Sequence, residues 1–144
     1  SWAMILPVIY IFSDNMDCAD YFAPDWIRYV GIAVFVFSIW LLWRSHYDLG
    51  RNWVENLAIR KNHTLITTGI FKYIRHPIYE AHIYWGVAQI LLIHNFIVGP
   101  SIFIAFMLVY LFRVKKEEEM MLSEFGKSYE NYMKKTGRII PRLI

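Results

Sequence analysis

The stretch HTLITTGIFKYIRHPIY, residues 63–79, holds the densest set of side chains able to bind a polar ligand. Pro77 lacks an N–H and disfavours helix at His76, so we predict a helix break that leaves backbone donors and acceptors free. Lys72, Arg75 and His76 supply donors beside aromatic rings. This combination suits a ligand that carries both a carboxylate and a cation. The plainer alternative is a charged loop beside a membrane, followed by a proline-started helix.

A second cluster follows in the segment RVKKEEE, where Arg113 precedes Glu117 by one helical turn. That spacing puts both side chains on one helix face, which by itself predicts only a solvated ion pair. The functional hypothesis is that Glu117 holds the hydroxyls or ammonium of a cofactor, while Arg113 binds a substrate carboxylate with both arms of its guanidinium. If the substrate carboxylate is the nucleophile of the reaction, it needs no general base, because it is ionised at pH 7. An amine would need one, and Glu118 or His76 would be the candidates.

Several chemistries are excluded by what the sequence lacks. The seven glycines form no GxG and strands do not alternate with helices, so no dinucleotide fold is expected. There is no GxSxG, and the single cysteine lies in an acidic segment, which argues against covalent acyl chemistry. The five histidines form no HExxH and no i, i+4 pair, so we expect no metal. A net charge of +3 is too small to indicate a nucleic acid partner.

Membrane helices must position these clusters. The 144 residues are 57% hydrophobic and 18% aromatic, with charges confined to blocks, which is typical of a small polytopic membrane protein with one domain, 1–144. The predicted fold is all-α, a polytopic membrane helix bundle with a C-terminal helical hairpin and a cytoplasmic cofactor-binding loop and tail. Spans are predicted at about 1–12 (partial), 26–43, 80–96 and 99–114, with cytoplasmic segments at 44–79 and 115–144.

The first predicted span is too short to cross a bilayer. We expect it to be the visible end of a helix whose beginning the sequence does not cover, with the core of a signal peptide as the alternative. The next, 26–43, is about 27 Å long as a helix, which is enough to cross. In the third span, His82 and Gln89 are expected to face protein or a cavity, with a structural and a functional role both open.

Charge distribution predicts the topology. Segment 13–25 carries aspartates but no Lys or Arg, whereas basic residues concentrate in 44–79 and 113–144. By the positive-inside rule both basic blocks face the cytoplasm and the acidic segment faces away. The charge-free run 81–112 would be about 48 Å long as one helix, so we predict that it turns back near NFIVGP, residues 95–100. The tail should form a surface helix with an aromatic face, followed by an extended end.

Five blocks carry a resemblance to a known family. LGRNW, HTLITTGIF, YIRHPIY, RVKKEEEMMLSEFGKSYENY and the closing TGRIIPRL occur in the order, and with the spacing, of the isoprenylcysteine carboxyl methyltransferase family. The blocks cover residues 49–143. The resemblance implies S-adenosylmethionine as methyl donor and S-adenosylhomocysteine as product. It also implies that 63–66 contact the donor largely through backbone, that Glu117 is the cofactor-binding carboxylate, and that Arg113 is the substrate-facing arginine.

The predicted site residues follow from these blocks. Arg113 is the predicted catalytic and substrate-binding residue. The predicted cofactor-binding residues are His63, Thr64, Leu65, Ile66, Phe71, Tyr73, His76, Pro77, Ile78, Tyr79, Glu117 and Glu118. Two positions depart from the family pattern, because Phe71 stands where a tyrosine often occurs and Ala81 stands where a glycine often follows the HPxY block.

The resemblance implies methyl transfer to a lipid-borne acceptor, with the carboxylate of a prenylated cysteine as the family expectation and a methyl ester as the product. The acceptor would enter from the bilayer, because a long apolar tail gains nothing by crossing water. The expected protein is integral to the membrane and multi-pass, with its site on the cytoplasmic side and without metal or nucleic acid. One alternative is an NADPH-dependent membrane reductase, against which the carboxylates at 117–119 argue. The other is a non-catalytic lipid-binding scaffold, which does not explain the order and spacing of the motifs.

Overall fold

The computed structural model describes residues 2–50 and 64–142. In those ranges the regular structure is helical, without strands, which confirms the predicted all-α class. The α-helices are α1 (Trp2–Phe12), α2 (Asp25–Leu49), α3 (Pro77–Leu92), α4 (Ser101–Phe125) and α5 (Lys127–Lys135). Short 3₁₀ turns occupy Asp14–Ala19 and Gly69–Lys72.

Helix α2 shows how the sequence sets its own ends. Asp25 lies in the first turn, where a carboxylate interacts favourably with the positive end of the helix dipole. Gly50 follows the last helical residue with φ +52°, the left-handed conformation in which helices commonly stop. Among the described residues, α2 is the one helix whose length and apolar composition suit a membrane crossing.

Helix α3 begins at Pro77, as the RHP motif (Arg75-His76-Pro77) predicts, because proline fits the first helical position without the loss of a hydrogen bond. It passes through Ala81 without interruption, and Ala81 is 1% exposed. The alanine therefore does not disturb the helix start at the position where the family often has glycine.

The chain divides into two compact units. The first consists of Ser1–Trp40 and Ala81–Val109, and the second of Leu41–Glu80 and Tyr110–Ile144. Helices α2, α3 and α4 each contribute residues to both units. The RHP motif and the RVKKEEE segment thus belong to the second unit.

Within the first unit, polar side chains fix the turn between α3 and α4. Asn95, 1% exposed, donates to Met16 O at 2.8 Å and to Asp20 Oδ1 at 2.6 Å, which ties the turn to the acidic segment. The buried Gln89 amide donates to Val98 O at 2.7 Å and also reaches the Gly99 carbonyl. Gln89 is therefore buried with its donors satisfied, which is what an apolar surrounding requires of an amide.

Helices α3 and α4 approach closely where Gly86 faces Phe103. A Cβ built on Gly86 would lie 2.5 Å from Phe103 Cα and 2.7 Å from Phe103 Cβ. Backbone atoms at this distance cannot move aside without shifting the helix. Gly86 is therefore required by packing.

We expect Gly86→Val to lower the free energy of unfolding by about 3 kcal/mol, because the added side chain forces the two helices apart. Unfolding of the detergent-solubilised protein, followed by circular dichroism, measures the change. Ala33→Val is the matched control, since Ala33 is exposed on α2 and can accept the same methyl groups. Equal stability of the two variants would contradict the close approach.

Candidate functional site

In the second unit, three predicted residues, from the start of α3, the residue before it and the middle of α4, come together around the Glu117 carboxylate. The Tyr79 hydroxyl donates to Glu117 Oε1 at 2.6 Å, and Arg113 Nε lies 3.6 Å from the same oxygen. His76 Nδ1 lies 3.7 Å from Glu117 Oε2. The pairing of Arg113 and Glu117 inferred from their helical spacing is thus part of a larger polar cluster.

This cluster retains unused hydrogen-bonding capacity. Arg113 Nε is shielded from solvent and has no hydrogen-bond partner among the described residues, since its neighbour Glu117 Oε1 lies 3.6 Å away. The Glu117 side chain is 21% exposed and that of Arg113 is 40% exposed, so both can also be reached from outside. Buried donors without partners are rare, and at an open cluster they indicate a place for a ligand.

Burial raises the pKa of the Tyr79 hydroxyl, and the hydrogen bond to Glu117 raises it further. Tyr79 therefore stays protonated and remains a hydrogen-bond donor throughout the physiological pH range. Its ring also meets Tyr110 edge to face, with centroids 5.6 Å apart. Tyr79 therefore occupies Oε1 of Glu117, whereas Oε2 faces His76.

The neighbouring Glu118 is buried and serves a different set of partners. Arg75 Nε lies 3.0 Å from Oε1, Arg138 Nη2 lies 2.6 Å from Oε2, and His76 Nε2 approaches Oε1 at 3.4 Å. Burial by itself raises the pKa of the Glu118 carboxyl, but His76 and the guanidinium groups of Arg138 and Arg75 outweigh it and lower the pKa to about 2. Both oxygens are thus engaged within the protein.

The loop that leads into this site is anchored by Asp48, near the end of α2. Asp48 Oδ2 accepts the Ile70 N–H at 2.7 Å and Arg44 Nε at 2.9 Å. Gly69 has φ +61°, and a Cβ built on it would overlap the Asp48 carboxylate. The glycine in TTGIF is therefore needed for both its conformation and its lack of a side chain.

The other predicted cofactor-binding residues occupy varied environments. Thr64, Leu65 and Ile66 lie in an irregular stretch, Thr64 exposed and the other two half-buried. Phe71 is buried, and its carbonyl accepts the Tyr132 hydroxyl at 2.6 Å. Tyr73 is exposed, Pro77 is buried and Ile78 is half-buried. His63 lies outside the described residues, and the cofactor roles of the whole set stay predictions.

The partners that hold the site are not predicted by the sequence. Arg75 was expected to donate to a ligand, but its guanidinium contacts Glu118 and the backbone carbonyls of Met133 and Thr136. Arg138 belongs to the TGRIIPRL block, which was recognised as family-like without a role for its arginine. Among the described residues, no group of three or more His, Cys, Asp or Glu side chains is arranged to hold a metal ion.

The lowered pKa predicts an acid-dependent stability. Glu118 has an ordinary pKa of 4.5 when unfolded and about 2 when folded, so its pairing contributes fully above pH 4.5. Between pH 4.5 and pH 2 the unfolded chain binds a proton that the folded chain does not, and the contribution is lost as pH falls. Glu118→Gln should therefore lower stability at pH 7 by about 3 kcal/mol and flatten its dependence on acid pH.

Thermal unfolding in detergent at a series of pH values between 3 and 7 measures this effect. Glu119→Gln is the matched control, because Glu119 is the next residue along the helix and is exposed. A Glu118→Gln variant as stable at pH 7 as the wild type, with the same acid slope, would contradict the buried network.

Comparison with known proteins places the chain in a family. A family model described as the isoprenylcysteine carboxyl methyltransferase (ICMT) family matches residues 30–123. Among similar proteins, the protein-S-isoprenylcysteine O-methyltransferase of Tribolium castaneum is 28% identical over 84% of this chain and 46% of its own length. The enzymes of the same name from Schizosaccharomyces pombe and Homo sapiens are 36% and 27% identical, over 56% and 81% of this chain and 34% and 42% of theirs.

A solved structure described as the eukaryotic intramembrane Ras methyltransferase ICMT superposes with a TM-score of 0.74 at 24% identity, over 96% of this chain and 49% of that chain. At this identity the likeness shows the fold. The chain spans less than half the length of the curated relatives named above. Because the family model matches more than half of the sequence, and the motif blocks and the fold agree with it, this chain belongs to the isoprenylcysteine carboxyl methyltransferase family.

Proposed function

We propose that this protein transfers a methyl group from S-adenosylmethionine to the carboxylate of a prenylated cysteine, giving a methyl ester. The observation that carries the proposal is the cluster of Tyr79, Glu117, Arg113 and His76, in which Arg113 Nε has no hydrogen-bond partner and the Glu117 carboxylate is accessible. Relatives of this chain from three organisms bear the name protein-S-isoprenylcysteine O-methyltransferase, and family membership implies a methyl donor.

The cluster fits the chemistry of the proposed donor. Glu117 Oε2, which lies 3.7 Å from His76 Nδ1, is an acceptor for an ammonium group or ribose hydroxyls. Irregular backbone at 65–68 carries further donors and acceptors. When bound, S-adenosylmethionine supplies a methyl group already activated by its sulfonium charge.

Arg113 is suited to hold the acceptor. Its Nε faces Glu117 while 40% of its side chain remains exposed, so the outer nitrogens are free to bind a carboxylate through two parallel hydrogen bonds. A carboxylate is ionised at pH 7 and is itself the nucleophile. The chain therefore has to orient the acceptor and exclude water, and no side chain has to remove a proton.

Family membership makes this a membrane protein. We further propose that it is multi-pass, with the active site facing the cytoplasm and the prenyl group arriving from the bilayer. In the first unit, the acidic segment pairs with the turn between α3 and α4, through Tyr21 N to His94 O at 2.9 Å and Phe96 N to Ala19 O at 3.0 Å. Both segments are free of Lys and Arg, whereas residues 44–79 and 113–144 carry the basic blocks, which supports this orientation.

The donor class is tested by calorimetric titration of the detergent-purified protein with S-adenosylhomocysteine, with NADPH in a parallel titration. We expect saturable binding of S-adenosylhomocysteine alone, because the Glu117 carboxylate attracts an ammonium group and ribose hydroxyls and repels the phosphates of NADPH. Binding of NADPH alone would favour a reductase. Binding of neither would favour a lipid-binding scaffold.

The acceptor is tested with labelled S-adenosylmethionine and N-acetyl-S-farnesylcysteine as a model substrate. We expect a base-labile methyl ester from this compound and no product from its carboxamide, which lacks the nucleophilic oxygen. Methylation of both compounds would contradict a carboxylate acceptor.

Two substitutions test the separate roles of Glu117 and Arg113 in the cluster. Glu117→Ala should abolish detectable binding of S-adenosylhomocysteine, whereas Arg113→Ala should leave that binding nearly intact and lower kcat/KM for the acceptor. We expect a loss of about 10- to 100-fold in kcat/KM, the usual value of a hydrogen bond to a charged group. Calorimetry and initial rates measure the two effects separately.

The matched controls are Glu119→Ala and Lys116→Ala, which remove the same charges from exposed positions on the same helix. They should retain both binding and rate. Equal loss of cofactor binding in Glu117→Ala and Arg113→Ala would refute the division of roles.

A further inference from the structure

The tail segment Thr136-Gly137-Arg138 pairs with the turn that carries the RHP motif. Arg75 N donates to Gly137 O at 2.9 Å, and His76 N donates to Arg138 O at 2.9 Å. Ile74 and Gly137 form an isolated parallel bridge. The tail thus supplies the backbone partners that the break before Pro77 would otherwise leave unsatisfied.

Glu118 joins this pairing to α4. Its carboxylate is 4% exposed and accepts Arg75 Nε at 3.0 Å, Arg138 Nη2 at 2.6 Å and Arg138 Nε at 3.0 Å. The turn, the tail and the helix therefore meet at one buried charge. Such a charge is stable only while its partners remain in place.

His76 is held by the same arrangement. Its backbone N–H is bound to the tail, and its ring is placed with Nε2 3.4 Å from Glu118 Oε1 and Nδ1 3.7 Å from Glu117 Oε2. The side chain is 9% exposed, so the ring has little freedom to reorient. Any displacement of the tail moves His76 relative to Glu117.

We propose that Arg138 is a positioning residue for the cofactor site. Its guanidinium, paired with Glu118, holds the segment 136–138 against the RHP turn and thereby sets the position of His76 beside Glu117. This inference rests on the proposed function, because the ligand that would bind beside His76 and Glu117 is the methyl donor. In this role Arg138 acts through Glu118, the segment 136–138 and His76.

Arg138 is a better target than its partners. Its side chain is 45% exposed, and Glu118 keeps Arg75 as a partner when Arg138 is replaced. Arg75, by contrast, is 8% exposed and binds two tail carbonyls as well, so its loss would endanger the fold. Arg138→Met retains much of the stem and removes the charge and the donors.

For Arg138→Met we expect the dissociation constant of S-adenosylhomocysteine, measured by calorimetry, to rise on the order of tenfold, as does KM for S-adenosylmethionine. The kcat at saturating donor and the KM for N-acetyl-S-farnesylcysteine should change less than threefold. A merely structural role would instead lower kcat through a smaller active fraction and leave the donor KM unchanged. Arg138→Lys should lie between wild type and Arg138→Met, since it keeps the charge without the fork.

The matched control is Arg142→Met, because Arg142 is an exposed arginine of the same tail and donates to the Lys134 carbonyl. It should bind S-adenosylhomocysteine as the wild type does. If the wild type binds the ligand and Arg138→Met binds it equally well, the positioning role is wrong while the proposed function stands. If the wild type does not bind it, the proposed function fails and this inference falls with it. Should Arg138→Met fail to fold, unchanged binding in Arg138→Lys together with an unchanged donor KM would also overturn the role.

Discussion

A buried carboxylate with obligatory partners is the constraint on which the second unit depends. Glu118 is 4% exposed, and an ionised group at such a position is stable only if cations and donors surround it. Arg75 and Arg138 come from segments far apart in sequence and meet at its two oxygens. The tail and the RHP turn are therefore brought together by the need of one charge for neutralisation, and the polar cluster around Glu117 is built next to it.

Adjacent glutamates on α4 have different roles because a helix turns about 100° per residue. Glu118 faces the arginines and is buried, whereas the Glu117 side chain, one position earlier, is 21% exposed and faces Tyr79 and Arg113. His76 lies between them and approaches both carboxylates. One short segment thus provides both a structural charge and an accessible charge, and the first holds the surroundings of the second in place.

The first unit meets the opposite requirement, since its polar groups must be satisfied within an apolar environment. Gln89 and Asn95 do this by binding the backbone of the turn between α3 and α4 and of the acidic segment. Of the two roles left open for Gln89, the structural one accounts for its contacts. Large apolar side chains remain exposed along α2, among them Trp26, Val36 and Trp43, as suits a helix in contact with lipid.

The sequence by itself determined the helical class, the helix start at Pro77, and the facing of Arg113 and Glu117, because each depends on neighbours within one or two helical turns. Motif order identified the family for the same reason, since it is a property of the linear chain. Only the tertiary structure decided that Glu118 pairs with both Arg75 and Arg138, that Tyr79 donates to Glu117, and that Asp48 fixes the Gly69 turn. These contacts join residues that lie from 20 to 43 positions apart, and no local propensity or periodicity specifies which distant partner a buried charge will find.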